Sequence, residues 1–418
     1  MIGAYLIHTH HRRLSASHQR RSLNSSSMAN IFFLCSLFTL LLNQLEAHVH
    51  LPVSRDSNSL QFVTAIQIGA SPSPSRLVID LSAPFLFTDQ PASSIPLNKC
   101  SIQCFKAKAH VDDPKGSSSC FDHNRGTASQ GICKVSVFNS FTGSEVKGEL
   151  VEDQLEVRSV SGDTVKLTNF IFSIGSSFLL SGLGSGADGV LGLGRSNIGV
   201  LSQVSNAVSS QRKFSLCLSS SNGFLLFGDG GLNPVLSNDL VYTPFVNTEQ
   251  EGDYLIEVKS IRINKEKVVS AFGLTKISTA APYTVLSSPT YKSLTEAYAS
   301  AAADMNMTRV DSSFPFGLCF RSEGGEEAPN GYTAPAIDLV LQSEMVKWRV
   351  EGKNLMTRVG DKTCLGFVDG GPEMDVGMVI GGLQLVDNLL EFNVGTNMLG
   401  FGKPSSCSGV VPGFISDL

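Results

Sequence analysis

Nucleophilic hydrolysis of the serine or cysteine kind needs a histidine base, and this chain is poorly supplied with one. Only four of its eight histidines, His48, His50, His110 and His123, follow the apolar N-terminal stretch, and none lies near a Gly-x-Ser-x-Gly motif. Gly182-Leu183-Gly184-Ser185-Gly186 has the glycines of a phosphate loop but no Lys-Ser or Lys-Thr after them, so it reads as a turn cluster. Cys100-x3-Cys104 has no second Cys or His pair at finger spacing, which leaves no metal site. What remains is carboxylate chemistry. Such chemistry needs carboxylates in pairs, because a lone one can activate water but cannot also protonate a leaving group; one of the chain's carboxylates, Asp80, ends the apolar run Leu77-Val78-Ile79.

The elements around Asp80 recur. The first half carries Val78-Ile79-Asp80-Leu81-Ser82 and later Gly189-Val190-Leu191-Gly192-Leu193-Gly194. The second half carries Lys276-Ile277-Ser278-Thr279-Ala280 and later Met378-Val379-Ile380-Gly381-Gly382. The similar spacing suggests two lobes of one design meeting near Thr243-Pro244. Short alternating runs predict strands at 59–68 and 76–81, joined as a hairpin, and at 165–174, 223–227, 254–263, 337–341 and 389–394. A helix is expected over 288–305. The expected class is all-β with a few short helices.

Composition limits the function. Hydrophobic residues make up 42% and charged residues 17%, which suits a large buried core. A formal charge of −5 argues against a nucleic-acid partner. The run Ile-Phe-Phe-Leu-Cys-Ser-Leu-Phe-Thr-Leu-Leu-Leu from Ile31 to Leu42, followed by Leu45-Glu46-Ala47, is too short to span a bilayer and fits a signal-peptide core. Region 1–47 is therefore read as a signal, with Met28 the expected start. Its removal takes away four arginines and one glutamate, moving the charge from −5 to −8. The expected product is secreted and extracellular, with no membrane partner. Eight cysteines follow the signal: Cys100, Cys104, Cys120, Cys133, Cys217, Cys319, Cys364 and Cys407. An even number in a secreted chain points to disulfides. Asn306-Met307-Thr308 is an N-glycosylation sequon. Glu323 to Glu327 is an acidic loop.

Several motifs together carry a resemblance. They are Ala187-Asp188-Gly189-Val190-Leu191-Gly192-Leu193-Gly194-Arg195, Lys213-Phe214-Ser215-Leu216-Cys217-Leu218, Val241-Tyr242-Thr243-Pro244, Val379-Ile380-Gly381-Gly382 and Leu390-Glu391-Phe392-Asn393-Val394. The chain resembles the plant pepsin-like proteins over nearly all of its mature length. Leu77-Val78-Ile79-Asp80-Leu81, Pro282-Tyr283-Thr284-Val285-Leu286 and Pro335-Ala336-Ile337-Asp338-Leu339 are similar to one branch. That branch holds the extracellular dermal glycoproteins, the basic 7S globulins and the inhibitors of microbial cell-wall glycoside hydrolases.

The resemblance implies a two-lobed pepsin-like acid protease fold, with a first lobe at 48–243, a second at 244–418, and no cofactor. In an aspartic protease two carboxylates about 3 Å apart share a proton, each held in an Asp-Thr/Ser-Gly turn. Here Asp80 is followed by Leu81-Ser82, the second position is Ser278, and no Asp or Glu lies between Glu266 and Glu296. The expected hairpin at 135–145 carries Phe138 and Phe141 but no tyrosine, where proteases of the family use one. Asp80 is thus a remnant, and no catalytic pair is expected. Cys319–Cys364 and Cys217–Cys407 are the disulfides the resemblance implies. The four first-lobe cysteines allow three pairings.

The function implied is inhibition of a secreted endoglucanase or xylanase in the apoplast, through a basic side chain placed between the target's acidic pair. Lys403 and Arg321 are the candidate donors. A storage or ligand-binding globulin of the same branch is the alternative reading, and a residual aspartic endopeptidase is another.

Overall fold

Successive side chains of a strand fall on opposite faces, and the strands that lead to Asp80 bury both, with Leu77 and Ile79 in one apolar cluster and Val78 in another. Phe62–Ile68 and Ser75–Asp80 pair antiparallel, with Val63 opposite Val78 and Ile66 opposite Ser75. The computed structural model describes residues 49–402 except 70–73, 90–93, 112–120, 123–126, 129–130, 160–161, 220–222, 229–238, 249–251, 271–272 and 323–332, together with Cys407. The signal region 1–47, Cys120, the acidic loop and Lys403 lie outside the described residues. The fold is all-β and two-lobed, with its longest described helix at Ser288–Asp304.

The repeat seen in the sequence is a repeat of strand pairings. In the first lobe Ser75–Asp80 runs parallel to Gly189–Gly192. Gly189–Gly192 is antiparallel to Phe87–Thr88, which runs parallel to Thr164–Ile174. In the second lobe Leu274–Ile277 runs parallel to Met378–Ile380. Met378–Ile380 is antiparallel to Thr284–Leu286, which runs parallel to Phe367–Asp369. Two glycines make this crossing feasible. A Cβ on Gly192 would lie 2.3 Å from the Phe85 carbonyl oxygen, and one on Gly381 would lie 2.1 Å from that of Tyr283. Backbone fills the space where any other residue would put a side chain.

The last two described strands join the first-half sheet. Leu389–Asn393 pairs with Lys213–Cys217, and Met398–Phe401 pairs with both Leu389–Asn393 and Val241–Pro244. Their inward rings fuse the core. Phe214 stacks on Phe392 at 4.7 Å, Tyr254 meets Phe392 edge-on at 4.7 Å, and Phe245 packs on Tyr254 at 5.2 Å. The Tyr254 hydroxyl donates to the Leu193 carbonyl at 2.8 Å, and burial pushes its pKa well up.

One expected element is broken. The single strand expected over 254–263 is two, Leu255–Glu257 and Ser260–Ile263, which belong to different sheets. The first pairs with Leu274–Ile277 and the second with Ile337–Val340. The chain turns from one sheet to the other at Val258 and Lys259, where the apolar–polar alternation slips by one position, Lys259 and Ser260 both being polar.

Candidate functional site

Asp80 stands where its strand ends, and its position is fixed from two sides. Its carbonyl accepts the Leu193 N–H at 2.8 Å, and its Oδ1 accepts the Ser82 N–H at 2.8 Å. Ser278 is held in the same manner. Its N–H donates to the Ile380 carbonyl at 3.0 Å, and its Oγ accepts the Ala280 N–H at 3.1 Å. The serine hydroxyl therefore performs the turn-closing task that a carboxylate oxygen performs at Asp80. It closes the turn, but it cannot share a proton with Asp80 as a second carboxylate would.

The two turns are bound to each other through one side chain. Thr279 Oγ1 donates to the Ile79 carbonyl at 2.8 Å and accepts the Leu81 N–H at 3.2 Å. Leu81 has no hydroxyl to return the pair of bonds, so the linkage runs in one direction. Sequence reasoning named Thr279 only as the residue after Ser278 and missed this role.

Asp80 is 1% exposed, and its Oδ2 has no hydrogen-bond partner of acceptable geometry. Burial pushes its pKa above the ordinary carboxylate value. The Ser140 hydroxyl, the Ser82 amide, the Lys276 charge and the Ala83 amide oppose that rise. Lys276 is itself engaged with Asp253 at 2.8 Å. A folded-state pKa raised above the unfolded value of 3.8 means that the folded chain binds the proton more tightly. Stability is then greatest at low pH and falls as pH rises from the unfolded pKa through the folded one. Asp80→Asn keeps an acceptor for the Ser82 amide and removes the titration. The variant is expected to melt higher than the parent at neutral pH, with the difference vanishing below about pH 4. Thermal melts across pH check this, and a variant less stable at neutral pH would contradict it.

Over the first-lobe turn lies the hairpin of Lys134–Asn139 and Ser144–Ser159, with Phe138 opposite Glu145. Its tip is tied down. Asn139 Nδ2 donates to the Leu179 carbonyl at 2.7 Å, and its Oδ1 accepts the Phe141 N–H at 2.8 Å. Pro84, Ser136, Phe138 and Glu145 line a pocket of about 240 Å³. Phe138 stands at its wall, so the hairpin offers an apolar ring and no phenol.

The other candidates lie apart from this site. Arg321 ends the strand Cys319–Arg321, its side chain is exposed, and no described residue forms an ion pair with it. Lys403 follows Gly402, whose N–H donates to the Leu389 carbonyl at 2.8 Å; the lysine itself is outside the described residues. Asn306 is exposed, at φ +60° just past the helix Ser288–Asp304. Asp188 is structural, its Oδ2 accepting the Arg76 N–H at 2.8 Å. Disulfides join Cys104 to Cys133, Cys217 to Cys407 and Cys319 to Cys364, and Cys100 is also disulfide-bonded. Among the described residues no cluster of three His, Cys, Asp or Glu is placed to hold a metal, and no helix is long and apolar enough to cross a membrane.

Known proteins match this arrangement. Residues 62–229 match the family model described as xylanase inhibitor N-terminal, and residues 253–403 match xylanase inhibitor C-terminal. A Nicotiana benthamiana protein named "Probable aspartic proteinase GIP2" is 36% identical over 90% of this chain and 95% of its own length. Gamma conglutin 1 of Prunus dulcis is 32% identical over 89% of this chain and 93% of its own length. The solved structure of edgp superposes with a TM-score of 0.77 at 36% identity, covering 87% of this chain and 97% of the other. Basic 7S globulin from soybean superposes with 0.75 at 30% identity and the same coverage. An aspartic proteinase from Irpex lacteus, at 14% identity and a TM-score of 0.59 over 87% of this chain and 99% of the other, is similar in fold alone.

Proposed function

Because the chain belongs to the xylanase-inhibitor family of pepsin-like proteins, we propose that it is a secreted, proteolytically inactive inhibitor of microbial cell-wall glycoside hydrolases of the xyloglucanase or xylanase kind. The observation that carries this reading is Ser278, which closes its turn where a second carboxylate would have to stand. With Asp80 alone, the ancestral cleft has no acid–base pair to apply to a peptide bond. Binding is the task left to such a fold. Its disulfides suit an oxidising compartment, and the exposed Asn306 is accessible for glycosylation there. An apoplastic location follows from the same reading.

The chemistry of inhibition is electrostatic. A glycoside hydrolase works with two carboxyl groups about 5–9.5 Å apart, and a cation placed between them blocks both roles. Lys403 and Arg321 are the donors assigned here. Arginine holds a carboxylate through a planar fork, whereas lysine supplies a point charge, so the two are expected to contribute unequally. Truncating a cation buried in such a contact costs about 2–5 kcal/mol of binding. Lys403→Ala and Arg321→Ala are expected to raise the inhibition constant against a sensitive endoglucanase or xylanase by at least about 30-fold in one or both cases. Asp80→Asn is expected to leave it unchanged. If the cleft variant loses inhibition and both cation variants keep it, the contact lies elsewhere. If no hydrolase in a broad panel is inhibited by the parent protein, the inhibitor reading gives way to a storage or ligand-binding globulin. Relatives named gamma conglutin and basic 7S globulin favour that second reading.

A further inference from the structure

The tip of a hairpin is ordinarily its most exposed part, yet Asn139, where the strand Lys134–Asn139 reaches the tip, is 0% exposed. Its Nδ2 donates to two carbonyls of the neighbouring turn at 177–181, to Leu179 at 2.7 Å and to Ser181 at 3.2 Å. Its Oδ1 and its own carbonyl close the hairpin's turn, accepting the N–H groups of Phe141 at 2.8 Å and Gly143 at 2.9 Å. One residue thus shapes the tip and ties it to a second segment. Apolar contact lies under the tie. Val135, Val137 and Leu179 are buried in one cluster, with Phe141, Leu180 and Leu183 packed against it. Thr142 lies so close to Gly182 that a Cβ there would come within 2.5 Å of the threonine Cγ2.

A latch holds only if the part it grips is fixed. Gln61, just before the strand Phe62–Ile68, clamps the far end of the gripped segment. Its Nε2 donates to the Gly182 carbonyl at 2.8 Å, and its Oε1 accepts the Gly184 N–H at 2.7 Å. Ser176 caps the near end, its hydroxyl accepting the Phe178 N–H at 3.3 Å. Beneath the hairpin lies Asp80, 1% exposed. Ser140, next to Asn139, brings its hydroxyl near enough to hold the Asp80 carboxylate's pKa down against burial. The pocket between the hairpin and Pro84, about 240 Å³, falls below the roughly 300–1,000 Å³ of ordinary ligand sites.

We propose that this hairpin is a locked lid: Asn139 keeps it shut over Asp80, and the ancestral cleft stays closed to an extended polypeptide. A hairpin that admits a substrate has to lift and close again during turnover. Lifting this one breaks two hydrogen bonds of a fully buried amide and opens an apolar cluster. The lid adds a steric barrier to the missing carboxylate, and it holds whether or not the protein inhibits a hydrolase.

Hydrogen exchange of the full secreted protein, read by mass spectrometry of its peptides, tests the latch. In the parent the amides of 134–147 are expected to exchange within about tenfold of those in the strand Phe62–Ile68. Asn139→Asp keeps an acceptor for the Phe141 N–H, loses both bonds to the turn at 177–181, and sets a carboxylate against two carbonyls. It is expected to speed exchange in 134–147 by about 30-fold or more and to leave 62–68 unchanged. Asn139→Ala, which also gives up the side chain's bond within the turn, is expected to do the same. Labelling of carboxyl groups with a carbodiimide and glycine ethyl ester reads access to the cleft. Asp80 should stay unlabelled in the parent, where the exposed Glu145 of the same hairpin is labelled, and become labelled in both variants. Rapid hairpin exchange in the parent, or a labelled Asp80 there, would mean that the lid opens freely and would overturn the proposal. Variants that leave the hairpin slow would overturn it too. So would variants that speed 62–68 equally, because Asn139 would then belong to the global fold and not to a latch.

Discussion

Incubated at about pH 4 with an unfolded protein substrate, the purified chain is expected to release no peptides above background. Pepsin-type hydrolysis needs one ionised and one protonated carboxyl group about 3 Å apart. Asp80 is present, buried and inclined to hold its proton, but Ser278 opposes it with a hydroxyl committed to the Ala280 amide. Losing one acid–base group costs about 10²–10⁴-fold, and here the lost group is half of a pair that works only jointly. Ser278→Asp restores a carboxyl group and is nonetheless expected to remain far below a working protease. Leu81 still leaves the Thr279 linkage unreciprocated, Ser82 still stands where the family has glycine, and the hairpin still presents Phe138. What the substitution should produce is a coupled titration, with one member of the new pair held protonated to higher pH. Peptide release by the parent protein that Asp80→Ala abolishes would sink this account and revive the endopeptidase reading.

Much of this was legible in the sequence for reasons that can be located. The two-lobe repeat could be read because Gly192 and Gly381 each face a carbonyl oxygen that no Cβ could approach, so the glycines mark the same crossing in both halves. The missing carboxylate was legible for a similar reason, since Ser278 follows its strand as Asp80 ends its own. Thr279 was not legible. Its partners Ile79 and Leu81 are about two hundred residues away, and a hydroxyl that bonds at such range leaves no local pattern. The break at Val258 and Lys259 leaves in the sequence only a one-residue slip of phase, the adjacent polar pair Lys259 and Ser260, which is a faint mark for a change of sheet. Exposure was not legible either: Phe314 and Phe316 flank Pro315 and look alike in sequence, yet the first is exposed and the second buried. The choice among first-lobe cysteines needed the helix Ile102–Val111 to bring Cys104 to Cys133.

Removing the disulfide between Cys217 and Cys407 is expected to destabilise the fold more than removing Cys319–Cys364 or Cys104–Cys133. It closes 190 residues, whereas Cys319–Cys364 closes 45 and Cys104–Cys133 closes 29. In the chain-entropy model these loops are worth about 5, about 4 and about 3.6 kcal/mol respectively. The Cys319–Cys364 loop lies inside the longest one and shortens its slack, but a logarithmic cost hardly registers that change. The packing argument has the same sign. Cys217 is fully buried among Phe224, Leu226, Leu240 and Leu389, so each cysteine-to-alanine change there also removes core contacts. Trp348, 2% exposed and stacked on Phe401 at 5.1 Å, supplies a fluorescence signal for denaturant unfolding. The Cys217→Ala/Cys407→Ala variant should lose about 5 kcal/mol, with a changed slope as well as an earlier midpoint because its unfolded chain is less confined. Mass spectrometry of a non-reduced digest checks the linkage itself, and a free thiol at Cys217 would refute it. If the long-loop variant proves more stable than Cys319→Ala/Cys364→Ala, loop closure is not what the C-terminal bridge contributes.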